Sequence, residues 1–198
     1  AIAAVAVASG ITEIRLTGGE PLLRPDLEDL VADLASLEGE DGPIELSMTT
    51  NGIGLHHRAH RLADAGLARV NISLDTVDPE TFRTMTRRPR LDAVLAGVDA
   101  ALAADLRPVK INAVLMRGQN DHQAVDLLTW AVERGVELRF IEQMPLDAGH
   151  TWERGDMVTR AEVMAALEQR FTLTPLPGRG AAPAELFLVD GGPAVVGL

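Results

Sequence analysis

The chain has 198 residues, 46% of them hydrophobic, with 18 Lys and Arg against 29 Asp and Glu and a formal net charge of −11. That length suits one domain, or one and part of a second. The acidic balance excludes a general binder of nucleic acid or of anionic membranes, and the absence of cysteine excludes disulfides and thiolate metal sites within the chain.

The opening AIAAVAVAS is apolar but lacks a basic leader and is too short to span a bilayer. It reads as the last turns of a helix, and a cytoplasmic location is expected. TEIRLT (12–17) reads as a strand, and RLTGGEPLL (15–23) follows it with two glycines, a glutamate and a proline. Glycines there let the backbone bend or approach a ligand closely. Pro25 and Asp26 open a predicted helix to about Leu37. IELSMTT (44–50) is a strand and LHHRAHRLADAG a helix ending at Gly66. ARVNISLD (68–75) is a strand, Asp78 caps a helix beginning at Pro79, and a second helix covers 91–104. PVKINAVLM (108–116) is a strand, Asp121 to Gly135 a helix, and VELRFIEQM (136–144) a strand. After Pro145 a loop (145–156) leads to a helix near 159–170 and two or three strands, with VDGGP as a hairpin turn. Both ends look cut, so the chain is expected to be an internal fragment. Strand–helix repetition with short connections predicts a parallel sheet covered by helices, and the tail predicts the start of a C-terminal antiparallel α+β region. The domain boundary is placed between 145 and 146.

Parallel strands covered on both faces should be almost uniformly apolar; these are not. With period two, Arg15 and Thr17 share a face, as do Glu45, Ser47, Thr49 and Asn51. So do Asn71, Ser73 and Asp75, and so do Lys110 and Asn112. Burying such rows without partners costs about 1–3 kcal/mol per group. The economical arrangement is a curved sheet with a wet or ligand-filled concave side. That predicts an α/β fold: a partial, incomplete TIM-type β/α barrel with its site at the C-terminal strand ends. The alternative is a sheet solvated on one side. Lys110 is the only lysine. As a compact point charge in mid-strand it suits a phosphate or a polarised oxygen, and with Arg15 it suggests an anionic substrate. A lysine snorkelling to solvent is the bland alternative.

Other signals are weaker. His56 and His60 have metal-ligand spacing but no HExxH carboxylate, so they read as a solvated helix face, and no metal site is assigned. No dinucleotide or phosphate-loop motif is present, and Ser73 has no evident His–Asp partners. Met144, at the end of an apolar strand, is a core methionine or a ligand contact.

RLTGGEPLL, MTTNGIGL, RVNISLDT, VKINAVLMRGQND, LRFIEQMPL and LVDGGPAVVG occur in this order. Together they resemble the GTP 3′,8-cyclase family of molybdenum cofactor biosynthesis (the MoaA family) within the radical S-adenosylmethionine (SAM) superfamily. GGEP alone marks the superfamily, whereas FIEQMP and VDGGPAVVG point to the cyclases. The resemblance implies that Gly19, Ser73 and Met144 contact SAM, with Gly18 and Glu20 supporting, and that Arg15, Thr49 and Lys110 contact GTP. It implies two [4Fe-4S] clusters in a full-length parent. Their cysteines lie before the GGEP strand and after the VDGGP strands, outside this chain, so no catalytic or metal-binding residue is assigned here. Implied partners are GTP and SAM, an electron donor, the next enzyme of the pathway and a second copy in a homodimer; nucleic acid and membrane are not. Implied chemistry is abstraction of the ribose 3′ hydrogen by a deoxyadenosyl radical and closure onto guanine C8. The fragment alone is expected to be inactive. Two other readings are another radical SAM maturase and a cysteine-free nucleotide-binding pseudoenzyme.

Overall fold

The computed structural model describes residues 2–40, 42–144, 155, 157–177 and 184–198. The expected boundary at 145/146 and the loop around it lie outside the described residues. The chain forms two compact units, one of residues 1–73 and 92–109, the other of residues 74–91 and 110–198.

The first unit is built on three parallel strands: β1 (Glu13–Leu16), β4 (Glu45–Thr50) and β5 (Arg69–Ser73). β4 is central, with Arg15 opposite Ser47 and Thr49 opposite Asn71. The helices are α1 (Ile2–Ala8), α2 (Leu27–Ala35), α3 (Ala59–Asp64) and most of α5 (Leu91–Ala103). Leu46, Met48, Val70 and Ile72 form the apolar sheet face, and all four are fully buried. Leu27, Val31, Leu62 and Val98 from the helices are buried too. The sequence pattern therefore found the apolar face of these strands. It missed a small antiparallel pair, β2 (Glu38–Gly39) and β3 (Gly42–Pro43), because two-residue strands carry no periodicity.

Two helix starts differ from expectation. Pro21–Leu23 forms a single 3₁₀ turn, and α2 begins at Leu27, two residues after Pro25. The stretch beginning at Leu55 is a 3₁₀ turn (Leu55–His57) followed by α3, with the break at Arg58. The Arg58 side chain is engaged with the chain around Leu22 to Glu28, so tertiary bonding overrides local helix propensity there.

The second unit contains β6 (Lys110–Val114) and β7 (Glu137–Ile141), which pair in parallel, with Lys110 opposite Glu137 and Asn112 opposite Arg139. Next to β7 lies β10 (Val195–Gly197), also parallel, and then β9 (Leu186–Val189) and β8 (Leu173–Pro175), each antiparallel to its neighbour. The predicted VDGGP hairpin joins β9 to β10, with Asp190, Gly191 and Gly192 all at positive φ. The helices are α4 (Pro79–Thr86), α6 (Ala124–Arg134) and α7 (Arg160–Leu167). α4 has the predicted cap: Asp78 accepts from the Thr81 amide, with Pro79 at the first helical position. α7 carries a full capping box from Thr159 and Glu162. Ile111, Leu127, Leu128, Leu138, Leu167 and Val196 are the buried centre.

Candidate functional site

In the first unit, the turn after β1 is held by Glu20. One carboxylate oxygen accepts from the Leu22 amide (3.1 Å) and the Thr50 hydroxyl (2.6 Å), and the other from the Asn51 amide (2.8 Å). A carboxylate with three donors is a fixed post, and it ties the GGEP turn to the end of β4. Gly18 sits at φ +142, a conformation that disfavours a side chain. A Cβ on Gly18 or Gly19 would enter open space. The backbone of the turn is thus bare, and a ligand can approach it closely.

The polar rows predicted from period two are present. Ser47 and Asn71 are buried, Thr49 is half-buried, and Ser73 at the end of β5 is exposed. Arg15 and Arg69 flank Ser47 from the two neighbouring strands. Their charges have different fates. Arg69 is neutralised by Glu13 (3.0 Å) and Glu45 (2.6 Å). Arg15 donates to the Ser47 hydroxyl (3.3 Å) and, among the described residues, makes no ion pair. Arg15 is therefore the guanidinium of this face available to an anion.

In the second unit, Lys110 lies 3.4 Å from Glu137, and Glu137 also receives the Arg139 guanidinium at 2.7 Å. Two cations share one carboxylate, with all three side chains less than a fifth exposed. Sequence reading stopped at Lys110 and Asn112; Glu137 and Arg139 carry the same period-two signal, which was there to be used. Met144, 61% exposed, follows β7, whereas Lys110 is at the start of β6, so these two predicted residues sit at opposite ends of the strand pair.

Also in the second unit, burial raises the Asp75 carboxyl pKa despite a bond from the Val114 amide (2.8 Å). Fully buried Asn120 donates to the Asp75 and Val114 carbonyls and accepts from the Met116 amide. Asn120 is a hub that sequence reading did not single out.

The family model of the radical SAM superfamily matches residues 1–131. The chain belongs to the radical SAM superfamily. It is 59% identical to a GTP 3′,8-cyclase of Paenarthrobacter nicotinovorans over 91% of this chain and 50% of that protein. It is 56% identical to a GTP 3′,8-cyclase of Streptomyces coelicolor over 98% of this chain and 57% of that protein. The chain thus spans about half the length of the curated relatives it matches. Among solved structures, TYW1 with a lysine-pyruvate adduct bound aligns with a TM-score of 0.62 at 17% identity, covering 92% of this chain and 58% of that one. The radical SAM coproporphyrinogen III oxidase of Escherichia coli aligns with a TM-score of 0.57 at 14% identity, covering 80% and 38%. At those identities the likeness concerns the fold alone. It supports an α/β, mostly parallel architecture of the partial TIM-type barrel class.

Radical SAM membership implies SAM and a [4Fe-4S] cluster. The chain has no cysteine, so its residues do not fit the cluster, whose irons need thiolate ligands. They are compatible with the methionine end of SAM: the Gly18–Gly19 backbone is bare with open space beside it, next to the fixed carboxylate of Glu20. Among the described residues no helix is long and apolar enough to cross a membrane.

Proposed function

We propose that the chain is the central part of a radical SAM GTP 3′,8-cyclase that forms 3′,8-cyclo-7,8-dihydro-GTP for molybdenum cofactor biosynthesis. The single observation carrying this reading is identity of 59% and 56% to two such cyclases across 91% and 98% of the chain. In this reading residues 1–145 are the catalytic barrel portion and 146–198 begin a C-terminal domain. The enzyme works in the cytoplasm, as a homodimer, with an electron donor and the next enzyme of the pathway as partners.

When bound, SAM would supply, on accepting one electron from the cluster of the full-length protein and releasing methionine, the group that takes a hydrogen atom from the nucleotide ribose. This chain's residues bind and orient. Gly18, Gly19 and Glu20 receive the methionine end of SAM, and Ser73 and Met144 complete its contacts. Arg15 and Lys110 supply positive charge to GTP, which an acidic protein must concentrate locally, while the Thr49 hydroxyl orients it. Arg15, Thr49, Ser73 and Lys110 lie on strands, which fix their geometry.

The test uses the full-length protein, reconstituted anaerobically with its cluster and supplied with GTP, SAM and reductant. GTP consumption with one 5′-deoxyadenosine per product is expected. Arg15→Ala and Lys110→Ala should each raise the KM for GTP about tenfold to a hundredfold, the worth of one charge-assisted contact. The 198-residue chain alone should yield no 5′-deoxyadenosine. SAM cleavage without GTP consumption overturns the reading in favour of another radical SAM maturase. GTP binding by a full reading frame lacking cysteine overturns it in favour of a pseudoenzyme.

A further inference from the structure

Arg58 lies at the break between the Leu55–His57 turn and α3, far along the chain from the GGEP turn, yet its guanidinium is spent on the segment leaving that turn. Nε donates to Glu28 (2.9 Å). One terminal nitrogen donates to the Leu22 carbonyl (2.9 Å) and the Arg24 carbonyl (2.8 Å). The other donates to the Pro25 carbonyl (3.4 Å) and to the second oxygen of Glu28. All five N–H donors of the fork are used, and the side chain is only 13% exposed. The three carbonyls belong to consecutive stations of the stretch between the 3₁₀ turn and α2. Pro21 and Pro25 donate no backbone hydrogen bond; the Leu23 and Arg24 amides bond to the Glu20 and Pro21 carbonyls, which leaves the Leu22, Arg24 and Pro25 carbonyls to Arg58. Arg61 adds a second, weaker contact to Glu28 (3.3 Å).

The consequence is a double latch between two connections of the first unit. At the inner end Glu20 fastens the GGEP turn to Thr50 and Asn51. At the outer end Arg58, seven residues past Asn51, fastens Leu22 to Glu28. In the stretch between the latches Leu22 is buried and is the packing anchor, whereas Leu23 is 81% exposed. Gly18 and Gly19, with open space around them, have no side chains to hold them either. The turn's position therefore depends on what restrains it from both ends.

We propose that Arg58, with Glu28, is a positioning residue for the SAM-binding turn: it sets the placement of Gly18–Glu20 without touching SAM. The proposal rests on the reading above that this turn receives SAM. It predicts a separation that a purely structural ion pair would not give, because losing the latch should disturb SAM and leave GTP contacts alone.

Hydrogen–deuterium exchange on the full-length protein gives the first readout, independent of activity. Arg58→Ala, and Glu28→Gln as the milder variant, should speed exchange at the Leu22, Leu23 and Arg24 amides, which bond to Glu20 and Pro21, while leaving β4 and β5 protected. Millimolar guanidinium should restore protection in Arg58→Ala. In the cluster-loaded full-length protein, both variants should raise the KM for SAM about tenfold, within the range expected when a binding group is misplaced by a fraction of an ångström. The KM for GTP should stay within about twofold. Leu167→Ala, a buried truncation in the second unit, is the control for lost stability and should move neither ratio. Unchanged exchange at Leu22 to Arg24, an unchanged KM for SAM, or equal rises in both KM values overturns the proposal. If the wild type cleaves SAM but ignores GTP, the cyclase reading fails while the exchange and SAM readouts still decide the role of Arg58.

Discussion

Gly97 lies in the middle of α5, and helix propensity says that alanine there should stabilise the protein by about 1 kcal/mol. Packing in the first unit says the opposite. A Cβ on Gly97 would stand 2.4 Å from the carbonyl oxygen of Gly52 and 3.3 Å from the Leu55 Cβ. The first of these is a backbone atom and cannot swing away. Gly52 itself is at φ +78, and a Cβ there would stand 3.0 Å from Ile72, so the loop has little room to retreat. Overpacking of this kind costs about 1–3 kcal/mol, and a contact this short on backbone belongs in the upper part of that range. Subtracting the helix gain leaves Gly97→Ala destabilised by about 1–2 kcal/mol, or roughly 2–8 °C in melting temperature for a chain of this size. Thermal and urea unfolding followed by circular dichroism measure it directly. Displacing Gly52 also moves its neighbour Asn51, whose amide donates to Glu20, so exchange protection at Asn51 should fall in parallel. An unchanged or raised melting temperature for Gly97→Ala would refute the claim that α5 and the TTNG loop are packed backbone to backbone.

Two further outcomes follow from the charges. The Arg58 guanidinium, by hydrogen bonding foremost, lowers the Glu28 pKa from 4.5 to about 2. A depressed carboxylate pKa stabilises the fold above the unfolded value, and that stability is lost as pH falls through the folded value. Discounted for the solvent that reaches this pair, the effect is about 1–2 kcal/mol at neutral pH. The stability gap between wild type and Glu28→Gln should therefore be constant from pH 7 to about 5 and shrink steadily between pH 4.5 and 2; urea titrations at several pH values would show it, and a pH-independent gap would contradict it. Glu137→Gln removes the carboxylate shared by Lys110 and Arg139, which should destabilise the protein by about 1–3 kcal/mol because two half-buried cations then face each other. Urea unfolding of the variant measures it, and an unchanged stability would contradict the shared ion pair.

Much of the first-unit site was legible before any coordinates. The GGEP glycines announce a backbone that must lie bare, and Gly18 at positive φ with open space beside it is what that residue type is for. Asp78 before Pro79 announced its helix start, because cap and fixed φ act within four residues. Arg58 could not be read this way. Its partners lie 30 to 36 residues earlier, and within its own helix it looks like one more solvated arginine.

The sequence by itself determined the order of the longer strands and helices, the apolar and polar faces of β1, β4, β5 and β6 and the superfamily, since these depend on period-two and period-3.6 patterns and on turn residues that act locally. Tertiary structure decided which charges are spent and which remain. Arg15 and Arg69 are both strand arginines beside Ser47, yet strand register gives Arg69 two glutamates and leaves Arg15 a single hydroxyl. Register is set by packing of the buried face, where Leu46, Met48, Val70 and Ile72 must meet, and no local pattern in the polar row states which carboxylate will face which cation.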